Sequence, residues 1–318
     1  EGLYIRRNQL MPSYSMPYLK QLESESISIL REVAAGFKNP VLLYSVGKDS
    51  SVMVRLALKA FYPGPIPFPL MHVDTGYKFP EMYAFRDAFC KELGVRLIVE
   101  RNEEEIARGC HPLKTGVDKC CNHLKTGALL AAIRKHGFDA AIGGARREEE
   151  KSRAKERVFS LRDSFGQWDP KNQRPEVWDL YNTHVNEGET VRVFPLSNWT
   201  EKDIWQYIKL ENIPVVPIYF ALERQVIRRG GILIPVSSAS VADSPAVGCA
   251  HEEPVETVRC RFRSLGCVPC TGAIRSGATS IDEIIAEVIS AKKSERENRV
   301  IDLTGDASME QKKKEGYF

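Results

Sequence analysis

The sequence predicts an α/β fold: a mainly parallel sheet covered by helices on both faces, with a C-terminal extension. Short apolar runs at Val41 to Tyr44, Phe68 to Asp74, Arg96 to Glu100 and Asp139 to Gly143 have the length and composition of strands. The stretches between them are long enough for a crossover helix, and several carry apolar residues at helical spacing. A βαβαβαβ alternation of this kind is satisfied by parallel strands joined through right-handed crossovers, and no internal repeat suggests another architecture.

Residues 1–18 read as an irregular arm, 19–212 as the α/β domain and 213–318 as the extension. Tyr18 to Phe37 has helical periodicity, with Leu22, Ile27, Leu30, Ala34 and Phe37 toward a core. Val52, Leu56 and Ala60, flanked by Met53 and Ala57, mark the helix after the first strand, and Asp49 and Ser50 sit where an N-cap belongs. Helices are expected over Pro80 to Leu93 and Asn122 to His136. Residues 164–190, rich in Trp, Asn, Pro and Asp, read as a long loop of the kind that forms lids or binding surfaces. Val191 to Leu196 is a further strand, and Thr200 to Glu211 a helix opened by a capping box of Thr200 and Asp203. Gly231 to Val236 reads as a strand and Ile281 to Lys292 as the last helix; the Pro- and Ser-punctuated stretch around them carries little other signal.

The first strand breaks into Ser45-Val-Gly-Lys-Asp-Ser-Ser51 before its helix. Free backbone N–H groups at a helix N-terminus, the hydroxyls of Ser45, Ser50 and Ser51, and the Lys48 ammonium all favour an anion, which makes phosphate the expected guest. The spacing is not a Walker loop, which needs glycine at 42 and Ser or Thr at 49 where this chain has Leu42 and Asp49. A dinucleotide fingerprint fails too, since Gly47 is the loop's single glycine. The remaining pattern, Ser-x-Gly-Lys-Asp-Ser, resembles the pyrophosphate loop of the ATP pyrophosphatases. Open α/β sheets bind ligands at the carboxyl ends of their strands. Asp74 and Gly76, in His72-Val-Asp-Thr-Gly76, are therefore expected near the ribose or adenine, although an ordinary strand-ending turn would use the same residues. Gly144, in the Gly-Gly-Ala-Arg-Arg147 that ends the fourth strand, joins the nucleotide-facing set.

Composition sets outer bounds. A chain of 318 residues with 43% apolar residues has material for a substantial core, and a net charge of +3 is too small to argue for nucleic acid. No run approaches the length of a membrane span and the start lacks the apolar core of a signal peptide, so a cytoplasmic protein with no membrane partner is expected. Eight cysteines in such a chain point to metal or redox chemistry rather than disulfides. Cys-Cys at 120 and 121 and Cys267-Val-Pro-Cys270 supply four thiols. Cys120 and Cys121 are expected just before a helix N-terminus, which lowers thiol pKa, and Pro269 stiffens the second pair. Taken singly, Cys267-Val-Pro-Cys270 would fit zinc, and Cys120 and Cys121 would fit buried apolar positions. Cys90 reads as helix core, while Cys110, Cys249 and Cys260 have no partner at ligand spacing.

The run from Arg146 to Arg157 carries charges of both signs, which suits a solvated helix with Glu149 and Arg153 paired at i, i+4. It also begins directly after a strand's carboxyl end, where Arg146, Arg147, Arg153, Lys155 and Arg157 would meet the phosphates and a second anion. An arginine fork holds a tetrahedral oxyanion bidentately.

Ser45 to Ser51, His72 to Gly76, Gly143 to Arg157, Trp168 to Pro175, Arg192 to Thr200 and Ser308 to Phe318 together resemble the small subunit of bacterial sulfate adenylyltransferases, the CysD type, over about residues 17–318. The resemblance implies ATP and Mg²⁺ as requirements, sulfate as the second substrate, and a larger GTPase subunit as partner. It implies that Lys48 and Asp49 act on the departing pyrophosphate and that Arg146, Arg147, Arg153 and Arg157 hold sulfate. Replacing Lys48 or Asp49 is expected to abolish transfer and spare the fold, since both lie in the loop rather than the core. The four cysteines instead resemble the [4Fe-4S] ligands of assimilatory adenylylsulfate reductases, a rival class that needs a nucleophilic cysteine after Cys270, where this sequence has none. An ATP-dependent sulfur transferase acting on tRNA is the second rival and should carry an RNA-binding module, which is not recognisable here.

Overall fold

The structure is a computed structural model and describes residues 12–149, 153–236, 254–291 and 295. Its first helix, α1 (Pro12–Gly36), begins well before Tyr18, so part of the expected irregular arm is helical. Residues 1–11, Cys249 and the Ser308 to Phe318 tail lie outside the described residues.

β1 (Pro40–Leu43) leads through a short loop into α2 (Lys48–Phe61), followed by β2 (Leu70–Val73), α3 (Pro80–Leu93) and β3 (Leu97–Glu100). Three short helices, α4 (Glu103–Ala107), α5 (Pro112–Thr115) and α6 (Val117–Cys121), run into a π-helical turn over Asn122–Gly127 and then α7 (Ala128–His136). β4 (Ala140–Ile142), β5 (Phe159–Arg162), β6 (Thr190–Val193) and α8 (Glu201–Leu210) complete this layer. Thr200 and Asp203 form both halves of the expected capping box. The strand order is β3-β2-β1-β4-β6-β5, with every neighbour parallel except β5, which runs antiparallel along β6. The sequence reading omits β5, whose Ser160 and Arg162 look like solvated positions. Both are buried because Arg162 donates to Glu156 (2.5 Å) and to the Ser160 hydroxyl (2.6 Å).

Successive strand residues face opposite sides of the sheet, and the core divides accordingly. Leu42, Leu70, Ala140 and Ile142 face a large cluster that includes Leu30 and Val33 of α1, Val52 and Leu56 of α2, and Ile204 and Trp205 of α8. Val41, Met71 and Ala141 face the other side, against Leu129, Ala132 and Ile133 of α7. Helices thus cover both faces, as predicted for a buried parallel sheet. Each large apolar side chain withdrawn from water in these layers contributes about 1.5–3 kcal/mol.

The extension adds a second, antiparallel sheet of β7 (Leu222–Arg229), β8 (Ile232–Pro235), β9 (Glu256–Arg261) and β10 (Ile274–Arg275), in the order β10-β9-β7-β8, and a closing helix α9 (Ile281–Ser290). Val226, Leu233, Val258, Phe262 and Ile284 join the same cluster as Leu42 and Val52, and the Phe79 and Phe262 rings lie 5.0 Å apart. That packing brings Tyr219, Arg263 and Cys267 to the carboxyl ends of β1 and β2. No helix among the described residues is long and apolar enough to cross a membrane.

Candidate functional site

The loop between β1 and α2 turns sharply at Val46, which is buried and has a φ of +66°. A β-branched residue in the left-handed region is strained, so the surrounding packing must hold it there. The N-cap of α2 is Gly47, without a side-chain cap; Asp49 and Ser50 lie in the first turn instead, correcting the expected cap. Their side chains are committed elsewhere. Ser50 Oγ donates to the Gly47 carbonyl (2.9 Å) and accepts from Ser45 Oγ (3.2 Å), while Asp49 faces two cations. The Lys48 N–H donates to the Tyr219 hydroxyl (2.8 Å), which anchors the loop from the extension. Gly144 at the end of β4 approaches so closely that a Cβ there would lie 3.1 Å from Asp49 Cβ, so only glycine fits without displacement.

Lys48, Asp49, Arg146 and Glu295 form one buried charge cluster. Lys48 and Arg146 are each only 1% exposed, so Arg146 does not belong to a solvated helix face. Asp49 accepts from Lys48 Nζ (3.1 Å) and Arg146 Nε (2.7 Å); Glu295 accepts from Lys48 Nζ and from Arg146 Nη2 (2.5 Å). Burial would raise the Asp49 carboxyl, but the two cations hold it down to about 2. Burial likewise opposes charge on Lys48, yet Asp49 and Glu295 outweigh it and its pKa rises. Glu295 goes the other way: burial, with the carboxylates of Asp49 and Glu201, outweighs both cations and raises it.

A pocket of about 270 Å³ opens beside this cluster. Its lining includes Ser45, Asp49 and Ser50 of the loop, Gly143 and Gly144, His72 and Lys78 after β2, Lys125, and Arg153. Arg153 pairs with Glu149 at 3.6 Å, and its buried Nε has no hydrogen-bond partner among the described residues. The expected helix over Arg146 to Arg157 is not continuous: the described parts are two 3-10 turns, Arg147–Glu149 and Arg153–Lys155. Of the five cations proposed there, Arg146 and Arg153 reach the site. Arg147 turns to Asn198, and Lys155 and Arg157 are exposed and outside the pocket lining. Asp74 also lies off the lining: its Oδ1 accepts from the Gly76 N–H (2.9 Å) and the Tyr83 hydroxyl (2.7 Å), and Gly76 takes a φ of +79°. Both close the turn after β2, the role any strand end could give them. His72, which the sequence reading passes over, is buried with Nδ1 on the Tyr44 carbonyl (2.8 Å); burial and Lys78 lower it to about 4, so it is neutral at pH 7.

Cys121, Cys267 and Cys270 line the same pocket. Cys120 packs with Cys110 and Leu124 beneath Tyr77, so the thiol without an expected partner acquires a neighbour. Cys120 and Cys121 end α6 rather than precede a helix N-terminus, because α6 and the π-helical turn run on continuously. The expected lowering is accordingly absent at Cys120, which burial and the neighbouring sulfurs push up. Cys270 is pushed up to about 12 by burial and Cys267. Only Cys267 falls: Lys125, Lys78 and the Thr75 hydroxyl (3.2 Å) overcome its burial. No three His, Cys, Asp or Glu side chains among the described residues stand at metal-ligand spacing.

Residues 39–273 match the phosphoadenosine phosphosulfate reductase domain family. Sulfate adenylyltransferase subunit 2 of Bacteroides thetaiotaomicron is 58% identical over 97% of this chain and 100% of its own length. The protein of the same name from Saccharophagus degradans is 58% identical over the same shares of both chains. Among solved structures, the phosphoadenylyl-sulfate reductase of Candida auris superimposes with a TM-score of 0.45 at 17% identity, over 64% of this chain and 89% of that one. With a full-length likeness at that identity and a domain match spanning the sheet and its pocket, the chain belongs to the phosphoadenosine phosphosulfate reductase domain family, in its sulfate adenylyltransferase subunit 2 branch.

Proposed function

We propose that this chain is the catalytic subunit of a sulfate adenylyltransferase that converts ATP and sulfate into adenylyl sulfate and pyrophosphate. One observation carries the reading. The phosphate loop, the Gly143-Gly144 turn and the Arg153 guanidinium line a single pocket, with a buried N–H donor of Arg153 left over for an anion. A sulfate oxygen attacks the α-phosphorus, a new P–O bond forms, the bond to the β-phosphate oxygen breaks, and pyrophosphate leaves with that electron pair. Sulfate is already a dianion, so no general base is needed; the site has to align two anions and offset their repulsion. Ser45, Gly47, Ser50 and Ser51 would cradle the β and γ phosphates, with Lys48 meeting the charge that grows on the leaving group. Asp49 keeps Lys48 and Arg146 in place, and Gly144 lets the triphosphate lie close to the loop. Asp74 and Gly76 shape the turn that borders the nucleoside. Arg153 holds sulfate, and Arg146, beside Lys48, faces the leaving pyrophosphate; Arg147 and Arg157 belong to the rim. ATP enters as its Mg²⁺ complex, the metal held mainly by phosphate oxygens. Because the mixed anhydride is a high-energy product, coupling to GTP hydrolysis in a large-subunit partner fits the energetics, and "subunit 2" in the relatives' name fits such a partner.

The same reading includes a [4Fe-4S] cluster on Cys120, Cys121, Cys267 and Cys270. The donor set suits it, since soft thiolates are its usual ligands and bound iron removes the protons that burial holds on Cys120 and Cys270. When bound, it would supply sensitivity to oxygen and a tie between the extension and the sheet domain. The test of the main reading is exchange of radiolabelled pyrophosphate into ATP, with sulfate, molybdate or no oxyanion, in the presence of the candidate GTPase subunit. Exchange that depends on the oxyanion supports it; exchange that ignores the oxyanion refutes it.

A further inference from the structure

We propose that Glu295 is an internal stand-in for the pyrophosphoryl group: its carboxylate occupies Lys48 of the phosphate loop and Arg146 beside it, and has to be displaced before the β and γ phosphates of ATP can bind. The inference rests on the phosphate-loop reading above and adds a competing anion to it.

Four facts converge on Glu295. Its two oxygens are divided between Lys48 Nζ and Arg146 Nη2, the bridging pattern of an oxyanion between two basic groups. Both cations are almost wholly buried, and the Glu295 side chain is itself only 5% exposed, so the contact is an internal site and not a surface ion pair. Lys48 and Arg146 are met by Asp49, Glu295 and Glu148, which leaves the cluster with no surplus positive charge for a triphosphate. Asp49 is fixed by its position in α2, whereas Glu295 enters from beyond α9, so Glu295 is the anion that can leave without unmaking the loop. Its own ionisation points the same way: burial beside Asp49 and Glu201 raises its pKa even with two cations in contact. Its carboxylate is less comfortable there than Asp49, and a phosphate bearing more charge would outcompete it.

The neighbouring geometry fits an exchange of anions. Lys48 Nζ also approaches the Arg263 carbonyl (3.4 Å), and Arg263 is held by Glu201 (2.5 Å), so the ammonium stays in position when Glu295 withdraws. Arg146 retains Asp49 and Glu148 (3.0 Å). Loss of Glu295 would leave the cluster one positive charge richer where pyrophosphate forms during the reaction.

The experiment is calorimetric titration of the full chain with inorganic pyrophosphate, α,β-methylene ATP and AMP. Wild type is compared with Glu295→Gln, Glu295→Ala and Lys48→Ala, all checked for native near-UV circular dichroism. A site open about one tenth of the time binds about tenfold below its intrinsic affinity. Both Glu295 variants should therefore bind pyrophosphate and α,β-methylene ATP about tenfold more tightly, with AMP unchanged. Hydrogen exchange in the wild-type peptide containing Glu295 should also speed up when pyrophosphate is added, a readout that needs no variant. Weaker or unchanged pyrophosphate binding in folded Glu295 variants, or exchange that ignores pyrophosphate, overturns the inference while loss of binding in Lys48→Ala upholds the phosphate loop. Equal binding by wild type and Lys48→Ala removes the loop reading and this inference with it.

Discussion

Asp49→Asn removes one carboxylate from between two buried cations and keeps its shape. In the fold the Asp49 carboxyl is held at about 2 against an ordinary 3.8, burial being outweighed by Lys48 and Arg146. With the side chain 20% exposed, that difference corresponds to about 2 kcal/mol of folding stability at neutral pH. Breaking a buried ion pair by removing one partner costs up to about 5 kcal/mol, so a loss between about 2 and 4 kcal/mol is expected for the variant. A folded pKa below the unfolded one gives stability that is complete above the ordinary carboxylate pKa and is lost as pH falls through about 2. Urea unfolding of wild type and variant at pH 7 should therefore show the full gap, and parallel titrations at pH 4 and pH 3 should show it narrowing. Total stabilities of about 5–15 kcal/mol leave the variant folded at 25 °C, so far-UV circular dichroism stays unchanged while adenylyl transfer is lost. Equal urea midpoints at pH 7, or a gap that widens with acid, would refute the charge-cluster argument.

Other perturbations separate the remaining roles. Arg153→Gln should raise the KM for sulfate about 10- to 100-fold, the worth of a charge-assisted hydrogen bond, with little effect on ATP, whereas exposed Arg157→Gln should be nearly silent in the same steady-state assay. A matching rise in the KM for ATP would return Arg153 to the phosphates. Gly144→Ala places a methyl 3.1 Å from Asp49 Cβ and should cost about 1–3 kcal/mol, read as a lower melting temperature together with weaker α,β-methylene ATP binding. Anaerobic purification should give a brown protein with about four irons per chain. Stoichiometric zinc without iron would count against the cluster.

The parts of the site that lie within one stretch of chain were legible, and the parts that require the chain to return were not. Ser45 to Ser51 could be read as a loop between strand and helix because the three elements are consecutive, and Arg146 follows β4 directly. Tyr219, which holds the Lys48 N–H, is 171 residues away, and Glu295 is 149 residues from Arg146. Neither has a local pattern that distinguishes it from any other Tyr or Glu. Strands followed the same rule. β1, β2 and β4 are buried on both faces and read as apolar runs, while of β7 only Val226 is buried, so Leu222-Glu-Arg-Gln-Val-Ile-Arg-Arg229 shows no alternation to find.

The cysteines carry the same lesson further. Spacing suggested that the two pairs belong together; Cys121, Cys267 and Cys270 share a pocket, although α7, β4 and α8 lie between them in the chain, while Cys120 packs with Cys110 and Leu124. Their electrostatics could not be read the same way, because the sign of a helix end depends on where the helix starts. The apolar period beginning at Leu124 suggested a helix start after Cys121; the chain is already helical from Val117, and the two thiols sit at the far end of that turn. Cys120 thus lies inside a continuous helical run, where burial rather than a helix end decides and acts against the thiolate. Cys267 is the exception because its neighbours come from two other segments, with Lys78 and Thr75 of the turn after β2 and Lys125 converging on one sulfur. A charge environment assembled from three parts of the chain is a property of the packing, and the sequence holds it only implicitly.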